Sequence, residues 1–387
     1  MLMKAFMKQH FFLISIAIFL IFSLLCAWIG YSASNRRDTE KTSISDLTWS
    51  LELTDSYTFI FSGDVPGQFE AYDGSQGFLI DETGRVLKEL SDENDLGEGF
   101  HRFEKDGFYG VRDKSGRVII EAKYRQIDDF HHGYTAVRND IHYELLDKSG
   151  QKILSDRLLS NITYIKDGYY FVSGSKNYVL NVDTRKKIPL PSKVMGITTD
   201  ESGSSIAVLG DDAFCYLSDS FTIPESAVLY RKLPEFSEGL GYAERYDDLI
   251  VDEKHNVPLT RGYTPVRGYM NKARKMVLPL PYEDIQMACP FSEGKALIFA
   301  DKKVRCIDTD GKTLFTLEDK NTKAKFEYIF SGGFAPLTLD GIKEGVIDES
   351  GKFVIEPIFD SVGRINDGYV AVSYKGKCGI LNLTQLQ

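Results

Sequence analysis

The sequence predicts an all-β protein, and three observations support this fold class. Aromatic residues make up 12% of the 387 residues and 33 glycines accompany them, which favours strands separated by tight turns. A phrase typical of a β-hairpin recurs along the chain, and a second, glycine-containing turn phrase precedes it in most copies. We therefore expect an array of short β-sheet repeats behind a single N-terminal transmembrane helix.

The N-terminal segment is apolar and long enough to cross a bilayer. Residues 11–31 carry no charged side chain, and a helix of this length covers about 30 Å, the thickness of the hydrocarbon core. Lys4 and Lys8 precede the run and place the amino terminus in the cytoplasm by the positive-inside tendency. We expect a short cytoplasmic tail at 1–10, a signal-anchor helix at 11–31, a polar tether at 32–46 and an extracytoplasmic remainder.

A cleaved signal peptide is the alternative interpretation of this segment. The apolar region of such a peptide usually spans about 7–15 residues, which is shorter than the run found here. Ser32, Ala33 and Ser34 are nevertheless small enough to form a cleavage site. Cleavage there would make the chain a secreted protein instead of a single-pass protein of the cell membrane.

The hairpin phrase consists of an apolar run ending in Asp, two polar residues, Gly, Lys or Arg, and a second apolar run. Asp in the first turn position accepts hydrogen bonds from the backbone that follows it, and Gly adopts the positive φ of a bulged turn. Successive copies are mostly about 35 residues apart. The clearest copies place the structural turn residues at Asp81 and Gly84, Asp113 and Gly116, Asp147 and Gly150, Asp308 and Gly311, and Asp348 and Gly351. Weaker copies lie at 179–188, 213–221, 249–259 and 379–387.

One of these turns resembles part of a calcium loop, because Asp308 and Asp310 precede Gly311. The bidentate Glu and the remaining oxygen ligands of an EF-hand are missing, and other copies carry Ser at the position of Asp310. Turn chemistry explains the acid and the glycine in every copy. We therefore expect no metal site.

The second phrase is an apolar residue, a short turn with Gly, and an alternating small and apolar run. This pattern is typical of a turn that enters a strand. Together the two phrases predict a three-stranded sheet of about 35 residues, and about eight or nine such units fit the chain. The second phrase is clearest at 130–137, 236–243, 291–298, 330–337 and 365–372.

The two phrases together resemble the WG-repeat family of bacterial β-repeat proteins, which is named for a Trp-Gly pair at the start of the hairpin strand. The tryptophan is replaced in this chain, where the pairs at that place are Tyr109-Gly110, Glu344-Gly345 and Cys378-Gly379. The resemblance covers roughly residues 69 to 387. It implies a β-repeat fold and an exported or anchored protein, and it supplies no catalytic residues.

Neighbouring units must stack, because a three-stranded sheet cannot bury its apolar face alone. We expect residues 47–387 to form a propeller-like ring, with an open β-superhelix as the alternative. The segment 47–62 has the alternation of a strand that caps the first unit or closes against the last. The segment 190–275 breaks the repeat pattern and offers candidates for a recognition surface at Tyr242, Tyr246, Tyr263 and Tyr269. Ordinary packing is the alternative interpretation and the more common role of tyrosine in β proteins.

The sequence contains no catalytic constellation, phosphate-binding loop or cofactor motif. A net charge of −10 disfavours nucleic acid as a partner, because phosphate backbones require neutralisation by Lys or Arg. Four cysteines are widely scattered after the apolar segment and could pair in three ways, so the sequence leaves their redox state open. They are Cys215, Cys289, Cys306 and Cys378.

We therefore predict a membrane-anchored interaction or scaffolding module and not an enzyme. Its expected partner is an envelope or cell-surface protein, a peptide or a glycan. The alternatives are an extracytoplasmic enzyme acting on a cell-wall polymer, and a sensor that works through a membrane partner.

Overall fold

The computed structural model describes residues 43–90, 94–210, 213–225, 227–250, 263–318 and 328–386. The predicted tail, the predicted signal anchor at 11–31 and most of the tether lie outside these residues, as does most of the weak copy at 249–259. Within the described ranges, no helix is long and apolar enough to cross a membrane. The regular elements there are strands, apart from one 3-10 turn at Ile44–Asp46, so the all-β prediction is confirmed for this part of the chain.

The strands are short and follow one another along the chain. The first five are β1 (Trp49–Thr54), β2 (Phe59–Ser62), β3 (Gln68–Tyr72), β4 (Gly77–Asp81) and β5 (Val86–Glu89). The next fifteen are β6 (Phe100–Lys105), β7 (Phe108–Asp113), β8 (Val118–Tyr124), β9 (Gln126–Ile127), β10 (Tyr134–Arg138), β11 (Tyr143–Asp147), β12 (Lys152–Ser155), β13 (Asn161–Lys166), β14 (Tyr169–Ser173), β15 (Tyr178–Asn181), β16 (Lys187–Pro189), β17 (Val194–Thr199), β18 (Ser205–Leu209), β19 (Ala213–Tyr216) and β20 (Val228–Lys232). The last thirteen are β21 (Leu240–Ile250), β22 (Val266–Asn271), β23 (Met276–Pro279), β24 (Ile285–Ala288), β25 (Lys295–Ala300), β26 (Lys303–Asp308), β27 (Thr313–Glu318), β28 (Phe334–Leu337), β29 (Glu344–Asp348), β30 (Phe353–Phe359), β31 (Ser361–Val362), β32 (Tyr369–Tyr374) and β33 (Lys377–Asn382).

The chain divides into two compact units. The central unit contains Asn94–Tyr230 and Tyr246–Tyr263, and the terminal unit contains Glu40–Glu93, Arg231–Arg245 and Thr264–Gln387. In both units, strands that are consecutive in the chain pair antiparallel and build small sheets.

The central unit contains four groups of neighbouring strands, which are β6–β8, β9–β12, β13–β16 and β17–β20. Their apolar faces meet in cores that each draw on two consecutive groups. One such core joins Val111 and Ile120 from the first group to Val137 and Leu146 from the second, and all four side chains are buried. Stacking therefore buries the faces that a single small sheet leaves open.

In the terminal unit, the corresponding groups are β2–β5, β21–β23, β24–β27, β28–β30 and β31–β33. Strand β1 pairs antiparallel with β33, with Trp49 opposite Leu381 and Leu51 opposite Ile380. The segment 47–62 thus adds one strand to the last sheet and supplies β2 to the first. Both expected roles are therefore filled: β1 closes against the last sheet, and β2 forms the edge strand of the first.

Most sheets have four strands where three were expected, because the linker between sheets also pairs. After β8, the single residue Arg125 separates Tyr124 from β9, which pairs with β10 in the next sheet. Asp360 has the same place between β30 and β31. Tyr124, Ile127, Phe359 and Val362 are buried at these joints, so the chain crosses from one sheet to the next without leaving the core.

The segment 190–275 contains regular strands in its described part. Strands β17 to β19 pair in sequence over Val194–Tyr216, and Tyr230 of β20 pairs with Phe214. In the terminal unit, β21 pairs with β22, and β22 with β23. The departure from the sequence pattern at 190–275 reflects altered turn residues, which are described below.

Candidate interaction surfaces

Each sheet has two ends that differ in chemistry. The turn end carries the Asp-x-x-Gly turns, such as Asp348–Gly351, and the glycine-containing turns, such as 331–334. The loop end carries the hairpins between the strands that these two kinds of turn flank, such as 339–343 between β28 and β29, and the linkers between sheets, such as Asp360. This division follows from antiparallel connection, since alternate turns return to the same end.

The Asp-x-x-Gly turns share one hydrogen-bond pattern at the turn end. In the copy at Asp113, one carboxylate oxygen accepts from the Ser115 amide at 2.9 Å, the Ser115 hydroxyl at 2.5 Å and the Arg117 amide at 3.1 Å. The Gly116 amide donates to the Asp113 carbonyl at 2.9 Å, and its φ is +83°. The hydrogen bond from the Ser115 hydroxyl is the main reason why the pKa of Asp113 lies below its usual value.

The other four sequence-predicted pairs have the same backbone geometry. Asp81, Asp147, Asp308 and Asp348 each accept from the amides two and four residues later, at distances between 2.8 and 3.1 Å. The structure places these aspartates and their glycines in hairpin turns between paired strands and does not gather them into one site.

Three further turns have this geometry without the full sequence phrase. Asp200 accepts from the amides of Ser202 and Ser204 in the turn between β17 and β18, where Ser204 replaces the Lys or Arg of the phrase. Ser218 replaces Asp in the degenerate copy at 213–221, and Phe221 adopts the positive φ of +60° in place of Gly. In the third turn, Asn271 replaces Asp and accepts from the Lys275 amide, and Arg274 adopts a positive φ of +60° in place of Gly. Turn geometry is therefore retained where its residue signature is lost.

The glycine-containing turns of consecutive sheets are joined by side chains in the terminal unit. The Ser237 hydroxyl donates to the Phe291 carbonyl at 2.6 Å. The Glu238 carboxylate accepts from the amides of Glu293 at 2.8 Å and Gly294 at 2.9 Å. These amides converge because Glu293 and Gly294 both have positive φ, which forms a small anion-binding nest.

The next pair of turns repeats this arrangement, which we call the Ser-Glu clasp. The Ser292 hydroxyl donates to the Phe330 carbonyl at 2.7 Å, and the Glu293 carboxylate accepts from the amides of Gly332 at 2.6 Å and Gly333 at 3.0 Å. The sequence Phe-Ser-Glu-Gly, found at 236–239 and 291–294, thus encodes contacts between repeats in addition to a turn within one.

The loop end of the central unit exposes large apolar side chains. Ile141, Leu158 and Met195 have 84%, 64% and 66% of their surface exposed. Ile141 lies at the tip of the β10–β11 hairpin, Leu158 in the linker after β12, and Met195 next to the linker after β16.

Hydrogen bonds tie the loops that carry these three residues to other parts of the loop end. The Tyr143 amide, beside the β10–β11 tip, donates to the Leu159 carbonyl at 3.2 Å. The Asn177 side chain, at the β14–β15 tip, donates to the Val194 carbonyl at 2.7 Å. We call Ile141, Leu158 and Met195 the apolar loop row. Exposed apolar groups in such a series are typical of protein contact surfaces.

A buried polar cluster near this row holds its loops in place. Glu144, with 2% of its surface exposed, accepts from the Tyr124 hydroxyl at 3.1 Å, Lys152 Nζ at 2.6 Å and the Ser155 hydroxyl at 2.8 Å. His142 Nε2 lies 3.4 Å from the same carboxylate. Burial raises the pKa of Glu144, but the hydrogen bonds from Lys152, Ser155 and Tyr124 outweigh it and hold the pKa below its usual value, so the carboxylate remains charged.

The tyrosines expected to form a recognition surface are mostly core residues. Tyr242 and Tyr269 are buried in the terminal unit, and Tyr246 is buried in the central unit. The Tyr242 and Tyr269 rings meet edge to face with their centroids 5.9 Å apart. The interpretation of these three as surface aromatics is wrong, because their strands face neighbouring sheets. Tyr263 is exposed.

The cysteines Cys215, Cys289, Cys306 and Cys378 are free and buried. Burial raises the thiol pKa of Cys215 and of Cys306 to about 12. These side chains therefore act as small apolar residues of the sheets.

A family model described as WG containing repeat matches residues 109–140 and 345–378. The chain contains WG repeats. The first WG repeat starts in β7 and ends after β10, and the second starts in β29 and ends in β33. Each repeat therefore contributes strands to two neighbouring sheets, so its sequence boundaries are offset from the sheet boundaries.

The glycine of the Trp-Gly position has a packing reason in these WG repeats. A Cβ atom on Gly110 would lie 2.6 Å from the Ile120 carbonyl oxygen, and one on Gly345 would lie 2.3 Å from that of Ile355. The strand register also shifts beside both glycines. Close backbone approach explains why the glycine is present where the tryptophan is replaced.

No curated protein matches the chain. Among solved structures, BamB from Moraxella catarrhalis is similar with 10% identity over 87% of this chain and 99% of its own, with a TM-score of 0.35. The Dos1 propeller has 12% identity over 87% and 95%, with a TM-score of 0.34. Dihydro-heme d1 dehydrogenase NirN has 14% identity over 92% and 84%, with a TM-score of 0.37.

Proposed function

We propose that this WG-repeat chain is a protein-interaction module that binds its partner through the apolar loop row. The exposure of Ile141, Leu158 and Met195 at the loop end of the central unit is the observation that carries the proposal. Large aliphatic side chains at such exposure gain free energy when a partner covers them, at about 25 cal/mol per Å² of apolar surface. The role is binding and not catalysis.

The row is suited to a folded protein surface. Its loops are fixed by backbone hydrogen bonds and by the Glu144 cluster, so little conformational entropy is lost on binding. A glycan would instead require exposed aromatic or hydrogen-bonding groups, and the row presents aliphatic and thioether side chains. An envelope or cell-surface protein is therefore the partner that we propose.

We propose further that residues 11–31 anchor the chain in the cell membrane, with the repeat array outside the cytoplasm. The uncharged run and the preceding Lys4 and Lys8 support this location. Protease treatment of intact spheroplasts should degrade the array while a cytoplasmic control protein survives. Protection of the array until the cells are lysed would overturn the location.

Affinity capture with the full-length protein tests the binding surface. The variant Ile141→Asp/Leu158→Asp/Met195→Asp should reduce recovery of a specific partner at least about tenfold, because charges at the centre of an apolar contact are costly. Ile342→Asp is the matched control, since Ile342 is a similarly exposed hairpin residue of the terminal unit. Equal recovery with the triple variant and the unchanged protein would refute this surface.

A further inference from the structure

A second candidate site lies at the loop end of the terminal unit, beside the β22–β23 hairpin. A cavity of about 380 Å³ opens there between the start of β22 and the linker after β23. Its walls are mainly apolar and comprise Pro265, Val266, Pro279, Leu280 and Tyr282, with the cationic side chain of Arg267 among them. The volume accommodates about one to two amino-acid residues.

The charge at this cavity comes from a cross-strand pair. Arg267 of β22 is opposite Glu244 of β21, and Arg267 Nε lies 3.6 Å from a Glu244 carboxylate oxygen. Nη1 of Arg231 lies 3.6 Å from the same oxygen. Two guanidinium groups thus share one carboxylate, so Arg231, Arg267 and Glu244 together carry one net positive charge, and of these three residues Arg267 lines the cavity.

The contacts of Arg267 hold its side chain in place at the cavity wall, where its positive charge can attract an anion. Only 19% of its side chain is exposed, and Nη1 donates to the Glu283 carbonyl at 2.9 Å, which ties the arginine to the linker. The Tyr242 hydroxyl donates to Glu244 at 3.1 Å and fixes the carboxylate from the other side. Glu283 also lines the cavity, but Glu283 is exposed to solvent, so water screens its negative charge.

We propose that this cavity binds the carboxyl terminus of a peptide that ends in an aliphatic residue. The aliphatic side chain would pack against Pro265, Val266 and Leu280, and the free carboxylate would face Arg267. An apolar wall and one adjacent positive charge match these two groups, which a carboxyl-terminal residue carries within a few ångströms of each other. The site is independent of the apolar loop row, which belongs to the other unit.

Saturation-transfer difference NMR with two matched probes tests this assignment on the full-length protein. N-acetyl-leucine has the aliphatic side chain and a free carboxylate, and N-acetyl-leucinamide has the same side chain without the charge. We expect a saturable signal for the acid and at least about tenfold weaker binding of the amide, as for loss of a charge-assisted contact.

Two substitutions in the same hairpin locate the binding. Val266→Asp places a negative charge on the cavity wall and should abolish the signal of N-acetyl-leucine. Val277→Asp is the control, because Val277 is similarly exposed on β23 but does not line the cavity. Equal binding of acid and amide, no binding of either, or loss with both variants would overturn the proposal. None of these results bears on capture through Ile141, Leu158 and Met195.

Discussion

At the scale of single residues, the glycine of the Trp-Gly position is fixed by backbone crowding. Gly345 stands where β29 and β30 shift register, and its neighbour across the bulge is the Ile355 carbonyl. The obstructing atom belongs to the backbone, so no change of side-chain rotamer can make space for a Cβ atom at this position. The residue before the glycine lacks this restriction and differs between repeats, where it is Tyr109, Glu344 or Cys378.

We predict that Gly345→Ala destabilises the terminal unit by about 1–3 kcal/mol, the usual effect of overpacking a core. Gly210→Ala is the control, because the nearest atom to an added Cβ at Gly210 is the Met195 sulfur at 3.8 Å. Urea unfolding monitored by intrinsic fluorescence should show a lower midpoint for the first variant alone. Similar midpoints for both variants would contradict the crowding argument.

At the scale of elements, the Ser-Glu clasp joins one glycine-containing turn to the next. It links the turn at Glu238 to the turn at Glu293, and that turn to Gly332 and Gly333. Gly332 has a φ of +61°, close to the +53° of Glu293, but it has no side chain to continue the series. The following turn at Asp367 and Gly368 has the same positive φ at both residues.

We predict that Gly332→Glu extends the clasp. Glu and Ala both incur the cost of a positive φ at this position, so the comparison of Gly332→Glu with Gly332→Ala isolates the carboxylate. Two amide hydrogen bonds to a carboxylate should make the Glu variant more stable than the Ala variant by about 1 kcal/mol, measured by thermal unfolding. Equal unfolding temperatures would show that the carboxylate does not reach the Asp367 turn.

At the scale of the whole molecule, the ends of the repeat array meet in the terminal unit. Strand β1 pairs with β33, and Ile60, Phe69 and Ile80 of the first sheet share a core with Ala371 and Ile380 of the last. The Asn366 side chain donates to the carbonyls of Val65 and Gln68, both at 3.0 Å. The strand nearest the predicted tether therefore also completes the last sheet.

We predict that the double variant Trp49→Ala/Leu51→Ala loosens β1 and exposes Cys378, which lies opposite Thr54 in the β1–β33 pairing. Removing two half-buried apolar side chains costs about 2–3 kcal/mol, so thiol labelling of Cys378 under native conditions should accelerate more than tenfold. Cys306 is buried in a different core of the unit and serves as the internal control. Equal acceleration at both thiols would indicate global unfolding instead.

The sequence determined the local structure of this protein. Fold class, hairpin positions and the resemblance to WG repeats all follow from short phrases such as Asp113–Gly116, because their hydrogen bonds join residues at most four positions apart. Turns with substituted residues, such as Ser218–Phe221, have a weaker sequence signature because they lack the Asp and the Gly. The predicted signal anchor at 11–31 also rests on local composition.

Only the tertiary structure decided which residues from distant parts of the chain meet. The fourth strand of most sheets, the pairing of β1 with β33 and the Ser-Glu clasp depend on contacts between repeats, which a single repeat's sequence does not encode. The burial of Tyr242 and Tyr269, and the exposure of Ile141, Leu158 and Met195, likewise depend on which side of each sheet its neighbour covers. Hydrophobic side chains look alike in sequence whether a neighbouring sheet covers them or not, so stacking alone separates core from candidate binding surface.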